Sequence, residues 1–280
     1  MTYSSHYQTR GLSTVADEGT AMPEVTRDGV ALYYETDGHG ETVAFVNDAG
    51  FGAWLWGWQY DAVAGPCETL VWDLRGTGRS DAPPGPYDVD ALAADFEAVL
   101  ADAGVDRAHV VGAGLGGMVA LRYAREYDRA RSLTLFGTAS TGTAVDEQAL
   151  RDLYPADDDS LEESLAGAFS PAFREAQPDL VADVCRWRSE EDAGPQATEA
   201  QLGAALSFEA DPLYECTLPA LVCHGLDDPV VPASAGQRLA DDLPRGSYEP
   251  VEGRRLCFIE HARAVTDRLL GHVEDHSSER

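Results

Sequence analysis

Apolar and polar positions alternate over 24–38, EVTRDGVALYYETDG, with Asp28-Gly29 at the centre, which predicts a hairpin. The apolar run TVAFVND (42–48) predicts a buried strand, and TLVWDLRG (69–76) predicts another. The glycine- and tryptophan-rich segment AGFGAWLWGWQ between them reads as a loop, as does TGRSDAPPGP after the second. The period then becomes helical. VDALAADFEAVLADAG (89–104) places apolar residues on one face and stops at Gly104. HVVGAG (109–114) predicts a strand, LGGMVALRYAREY (115–127) a helix, and SLTLFGTA (132–139) a strand.

From 143 to 209 the rhythm is acidic and helix-like, with Pro155, Pro171, Pro178 and Pro195 as breakers. Alternation resumes with a strand and polar loop, PALVCHGLDDPVVP (219–232). A helix over 233–243, a strand over 246–253 and a helix over 260–273 follow. Strands alternating with helices predict an α/β fold, a mostly parallel central sheet with helices on both faces. The domain reading is a flexible N-terminal extension (1–22), a core formed by 23–142 and 210–273, a helical cap or lid (143–209) and a tail (274–280). A lid in that place lies over the carboxyl ends of the strands, where such sheets carry their sites.

Charge changes the picture. The chain has 49 acidic residues against 20 basic ones, a formal net charge of −29, and every basic residue is arginine. Self-repulsion of that size destabilises a compact state at low salt, and molar salt screens it. The pattern resembles a cytosolic protein of an extreme halophile. No basic patch is present to hold nucleic acid. There is no run long enough to span a membrane and no apolar stretch near the start that reads as a signal peptide. The five cysteines, Cys67, Cys185, Cys216, Cys223 and Cys257, include no C-x-x-C pair and read as free thiols of a reducing compartment, so a cytoplasmic location is expected. No metal site or cofactor is expected.

One stretch admits two chemistries. In HVVGAGLGGMVALRYA (109–124), Gly112, Gly114 and Gly117 have the dinucleotide spacing G-x-G-x-x-G. That reading requires an acidic residue about 20 positions on, at the end of the next strand. None stands between Asp128 and Asp146, so the dinucleotide reading is disfavoured. Gly112 and Gly116 also frame a G-x-S-x-G nucleophile elbow, with Gly114 at the serine position.

The wider chain supports the elbow. FVNDAGFGAWLWGWQ, VWDLRGTGRSDAP, HVVGAGLGGMVALRYA, LVCHGLDDPVVP and VEGRRLCFIEHARAV occur in the order, and with the residue patterns, of the α/β-hydrolase family. The sequence from about 24 to 273 resembles that family throughout. The resemblance implies the α/β-hydrolase fold and three positions for a nucleophile, an acid and a histidine. The nucleophile position maps to Gly114. The acid maps to Asp228, with Asp227 beside it as an alternative. The histidine maps to Arg255, or to Arg254 if the loop shifts. His109, His224 and His261 fall on other positions, and Cys257 lacks a base.

A glycine has no group to attack with, and arginine stays protonated. The reading that follows is a protein without the nucleophile and the catalytic histidine. It is expected to be a non-catalytic binding or interaction protein for a small molecule, which an anion would fit. The alternative is an enzyme acting on a small ester or lactone by a non-standard mechanism. The expected ligand-binding residues are Gly50, Phe51, Trp54, Gly114, Leu115 and Arg255, with N–H groups from Leu115 and the Gly50–Phe51 loop. Trp56 and Trp58 are further candidates to line the cavity. Two roles for Arg255 stay open: an ion pair with Asp228, or a cation facing the cavity.

Overall fold

In the computed structural model, residues 23–155 and 157–277 are described; the expected extension 1–22 and the last three residues of the expected tail lie outside them. The hairpin forms between β1 (Glu24–Arg27) and β2 (Val30–Gly38). Its turn uses Asp28 at φ 52°, a left-handed conformation that a short polar side chain tolerates. β3 (Thr42–Val46) is buried at every position, as a strand covered on both faces must be.

The segment read as a loop after β3 is instead a 3-10 turn, Ala53–Trp56, running into helix α1 (Gly57–Val63). Burial of Trp56 against Phe45, Phe136 and Phe258, with ring centroids 5.0–6.2 Å apart, orders it. Trp56 is therefore a core residue and does not line a site. Trp58 is part-buried and packs edge-on to Trp187 of the lid.

The chain continues through β4 (Glu68–Trp72), α2 (Val89–Asp102), β5 (Ala108–Ala113), α3 (Leu115–Glu126) and β6 (Ala130–Phe136). Asp88 caps α2 by accepting from the Ala91 N–H. The insert after β6 holds α4 (Glu147–Arg151), α5 (Leu161–Ala168), α6 (Pro171–Ala176), α7 (Pro178–Glu191) and α8 (Pro195–Leu206). Three of the prolines read as breakers occupy first helical turns, where the missing N–H has no partner to lose. An isolated bridge between Thr141 and Glu209 closes the base of this lid.

β7 (Ala220–Gly225), α9 (Ala233–Asp242), β8 (Gly246–Val251), α10 (Cys257–Glu260) and α11 (Ala262–Asp275) complete the fold. α11 extends two residues into the expected tail. The eight strands order as β1-β2-β4-β3-β5-β6-β7-β8, antiparallel at β1–β2 and β2–β4 and parallel from there on. The carboxyl ends of the parallel strands β3, β5, β6 and β7 thus open on the same edge of the sheet, beneath the lid. No helix among the described residues is long and apolar enough to cross a membrane.

Candidate active site

β5 passes into α3 through Gly114, whose φ of 49° and ψ of −112° lie outside the regular regions. A side chain there is strained by backbone alone. Gly116, two residues on, lets the helix start against β3: a Cβ would strike the Val46 carbonyl. A Cβ at Gly112 would strike the Gly116 carbonyl and one at Gly117 the Thr138 side chain, so the glycine spacing that imitates a dinucleotide loop follows from the close packing of the elbow.

The space beside Gly114 is filled. A Cβ on residue 114 would stand too close to Asp48 Oδ1 and to Arg255 Nη2 for any real contact. Asp48 lies two positions beyond β3, and its side chain turns across the elbow. Oδ1 accepts from the N–H of Leu115 at 2.9 Å and from the N–H of Ala49 at 2.8 Å. Oδ2 takes Arg255 Nε and Nη2, each at 2.7 Å. Arg255 Nη1 donates to the Gly137 carbonyl at 3.2 Å and meets Asp228 Oδ2 at 3.4 Å. Asp228 Oδ1 in turn accepts from the N–H groups of Val230 and Val231. Asp48, Arg255 and Asp228 are 1%, 4% and 7% exposed, so the cluster is shielded from bulk solvent.

Sequence reasoning missed Asp48. The available signal was an aspartate set two positions beyond a fully buried parallel strand, where solvent is not at hand to hold its charge. The principal partner of Arg255 is Asp48, with Asp228 on the other side of the guanidinium. Arg254 donates from its side chain to the Ala166 carbonyl of the lid and is not in the cluster. Asp227 faces a separate surface cavity of about 560 Å³ lined also by Ser170, Phe173, Glu252, Glu260 and His261.

Burial pushes the Asp228 carboxyl up, and the Arg255 charge opposes that rise. For Arg255, burial pulls the guanidinium down, but Asp48 and Asp228 outweigh it and the net direction is up. Arg255 is accordingly a fixed cation and holds no transferable proton. Burial pulls His224 down; its Nε2 meets the Val231 carbonyl at 2.8 Å. His109 sits at the far end of β5 against Ser132 and Glu41. Burial also pushes the Cys257 thiol well up, which leaves it unreactive.

The lid engages the loop after β3. The Gly50 N–H donates to Gln201 Oε1 at 2.6 Å, so the amide that converges with Leu115 is Ala49, not Gly50. The Tyr154 hydroxyl donates to the Ala49 carbonyl. Phe51 lies between Trp54, Tyr154 and the Arg188 guanidinium, 4.9 Å from its ring centroid. Trp54 Nε1 and the Gly52 N–H both donate to Asp192 Oδ1, while Asp192 Oδ2 takes Arg188 Nε at 2.7 Å. Phe51 and Trp54 thus bind the lid in this closed arrangement.

A family model for the alpha/beta hydrolase fold matches residues 49–262. The chain belongs to the α/β-hydrolase family. A relative in Azorhizobium caulinodans, provisionally named carbamate hydrolase RutD, is 30% identical over 265 residues, covering 89% of this chain and 97% of its own. The 3-oxoadipate enol-lactonase 2 of Acinetobacter baylyi is 26% identical, over 86% of this chain and 92% of its own. Among solved structures, a hydrolase from Pseudomonas aeruginosa superimposes with a TM-score of 0.80 at 26% identity, over 91% of this chain and 99% of its own. An enol-lactonase from Burkholderia xenovorans superimposes with a TM-score of 0.81 at 23% identity, over 90% of this chain and all of its own.

These relatives overturn the expectation of a non-catalytic binding protein. That expectation rested on the absence of a serine and a histidine at two positions. The family members that match almost end to end are named for hydrolysis, so the hydrolase reading fits this α/β-hydrolase better.

Proposed function

We propose that this protein hydrolyses a small ester, lactone or carbamate, with a buried carboxylate and guanidinium in place of the serine and histidine. Gly114, Asp228 and Arg255 hold the three positions that carry nucleophile, acid and histidine in a serine hydrolase. The observation that carries the proposal is the place of Asp48: its Oδ1 fills the space beside Gly114 where a nucleophile's side chain would stand.

The chemistry needs a polarised carbonyl and an activated water. The N–H groups of Ala49 and Leu115 converge on one point, which suits a carbonyl oxygen that gains charge on attack. Each such donor is worth about 10²–10³ in rate in hydrolases that use two. Asp48, turned out of that point, accepts a proton from water as the water oxygen bonds to the acyl carbon. The bond from that carbon to the leaving oxygen or nitrogen then breaks, and Asp48 returns the proton to the leaving atom. The Arg255 charge offsets the negative charge that develops. Entry requires the lid to open, because Tyr154 and Gln201 hydrogen-bond the loop that carries Ala49 and the Arg188 guanidinium covers its Phe51 ring.

The test is a pH-stat assay in molar KCl with p-nitrophenyl acetate, a five-membered lactone and phenyl carbamate. Turnover of at least one, lost in Asp48→Asn and without labelling by a fluorophosphonate, is the expected result. No turnover above buffer on any of the three, or turnover indifferent to Asp48→Asn, overturns it. The acidic, lysine-free composition supports a protein adapted to molar salt inside a reducing cytoplasm. A melting temperature that rises steadily with KCl is expected on that account, and a flat profile would contradict it.

A further inference from the structure

The side chain of Asp48 is held as a ligand is held. Its two oxygens receive four donors: two backbone N–H groups on Oδ1, and Nε and Nη2 of Arg255 on Oδ2. All four address one planar O–C–O group in a site closed to bulk solvent. An exposed aspartate keeps its oxygens hydrated at no structural cost, whereas this one is taken from water and given a complete set of partners.

The donors are also fixed by contacts that do not involve this carboxylate. Arg255 is anchored through Nη1 by the Gly137 carbonyl and by Asp228, so the Nε–Nη2 edge keeps its direction. The turn carrying the Ala49 N–H is pinned by Tyr154 on the Ala49 carbonyl and by Gln201 on the Gly50 N–H. The Leu115 N–H is set by the first turn of α3, where it has no intrahelical partner. Donors built independently of their occupant form a preorganised receptor.

We propose that this cradle is a binding site for a small free monocarboxylate, and that Asp48 is its resident self-ligand. In wild-type protein the Asp48 side chain occupies the cradle until a ligand with the same O–C–O plane displaces it. The acid released by ester or lactone hydrolysis has that group, so the product competes with Asp48 for the cradle. The product role rests on the proposed hydrolysis; the binding of a carboxylate does not.

Acetate is the probe, and Asp48→Gly removes the self-ligand. In thermal melts at molar KCl, added sodium acetate is expected to raise the melting temperature of Asp48→Gly saturably, beyond the effect of sodium chloride at equal concentration. Wild-type protein is expected to show the same acetate-specific rise only at a much higher acetate concentration, because the tethered Asp48 competes for the cradle, and Asp48→Gly with Arg255→Gln loses it. Asp48→Ser, which keeps a short polar side chain, serves as a second vacated cradle. If either variant is unfolded alone, acetate is expected to restore its folded circular-dichroism spectrum. No acetate-specific stabilisation and no restoration in both variants overturns the proposal. None of these readouts involves turnover, so failure of the hydrolase reading and failure of the cradle are separately visible.

Discussion

Asp48 and Arg255 meet with two 2.7 Å contacts at a point where neither is more than 4% exposed, although 207 positions separate them in the chain. A buried ion pair of this kind contributes little when compared with a well-packed apolar pair, but breaking it leaves a bare charge. Asp48→Ala is therefore expected to destabilise the fold by about 3–5 kcal/mol, offset only in part by Asp228. Urea unfolding at molar salt measures it. A loss below 1 kcal/mol, about the value of an exposed pair, would show that the cluster is hydrated.

Restoring a serine at the elbow is not expected to restore a serine hydrolase. Gly114→Ser must displace Asp48 and Arg255, and it puts a side chain on a residue at φ 49°. The cost expected is about 1–3 kcal/mol from overpacking, with a strain contribution of similar size. The new hydroxyl would have no histidine to take its proton. Thermal melts and fluorophosphonate labelling check both halves. A stable variant that labels readily contradicts this account.

The lid should loosen when Asp192 is removed. Asp192 joins Arg188 of α7 to Trp54 and Gly52 of the core loop, so Asp192→Ala breaks three contacts and leaves Arg188, 3% exposed, without its carboxylate. Amide hydrogen exchange at Gly50, Gly52 and across α7 is expected to quicken while the sheet strands keep their protection. Uniform loss of protection would instead mean that lid and core unfold together.

Stability should fall as pH rises from about 4 to about 7. Burial pushes the Glu191 carboxyl up to about 7, with the nearby Asp73 adding to it, and burial pushes Asp73 up to about 6. Unfolded, both groups ionise near their ordinary values of 4.5 and 3.8. The folded chain therefore binds more protons across that window, and stability present below it is lost as pH passes through the folded values. Glu191→Gln is expected to flatten the upper part of the profile. Urea midpoints taken at about pH 5 and about pH 8 in both proteins decide it; an unchanged slope would remove Glu191 as the cause.

Much of this was legible in the chain itself. The two-residue period around Asp28-Gly29, the buried runs of β3 to β7 and the helical periods of α2 and α3 are local properties, and local sterics and burial convert them directly to structure. The ordered motifs that resemble the α/β-hydrolase family likewise singled out Gly114, Asp228 and Arg255, which follow β5, β7 and β8. The helical character of 53–63 was not legible, because it depends on Trp56 finding Phe136 and Phe258 far along the chain.

The occupant of the elbow was decided by tertiary structure alone. Gly114 announces an absent side chain, but nothing near it in sequence says what fills the space. Asp48 does so because β3 and β5 are adjacent and parallel, which brings the residue two positions beyond β3 level with the Leu115 N–H. Arg255 reaches the same point only because β7, β8 and the turn into α10 close around it. A buried charge must find its partner wherever the fold places one, and that partner need not be near in sequence.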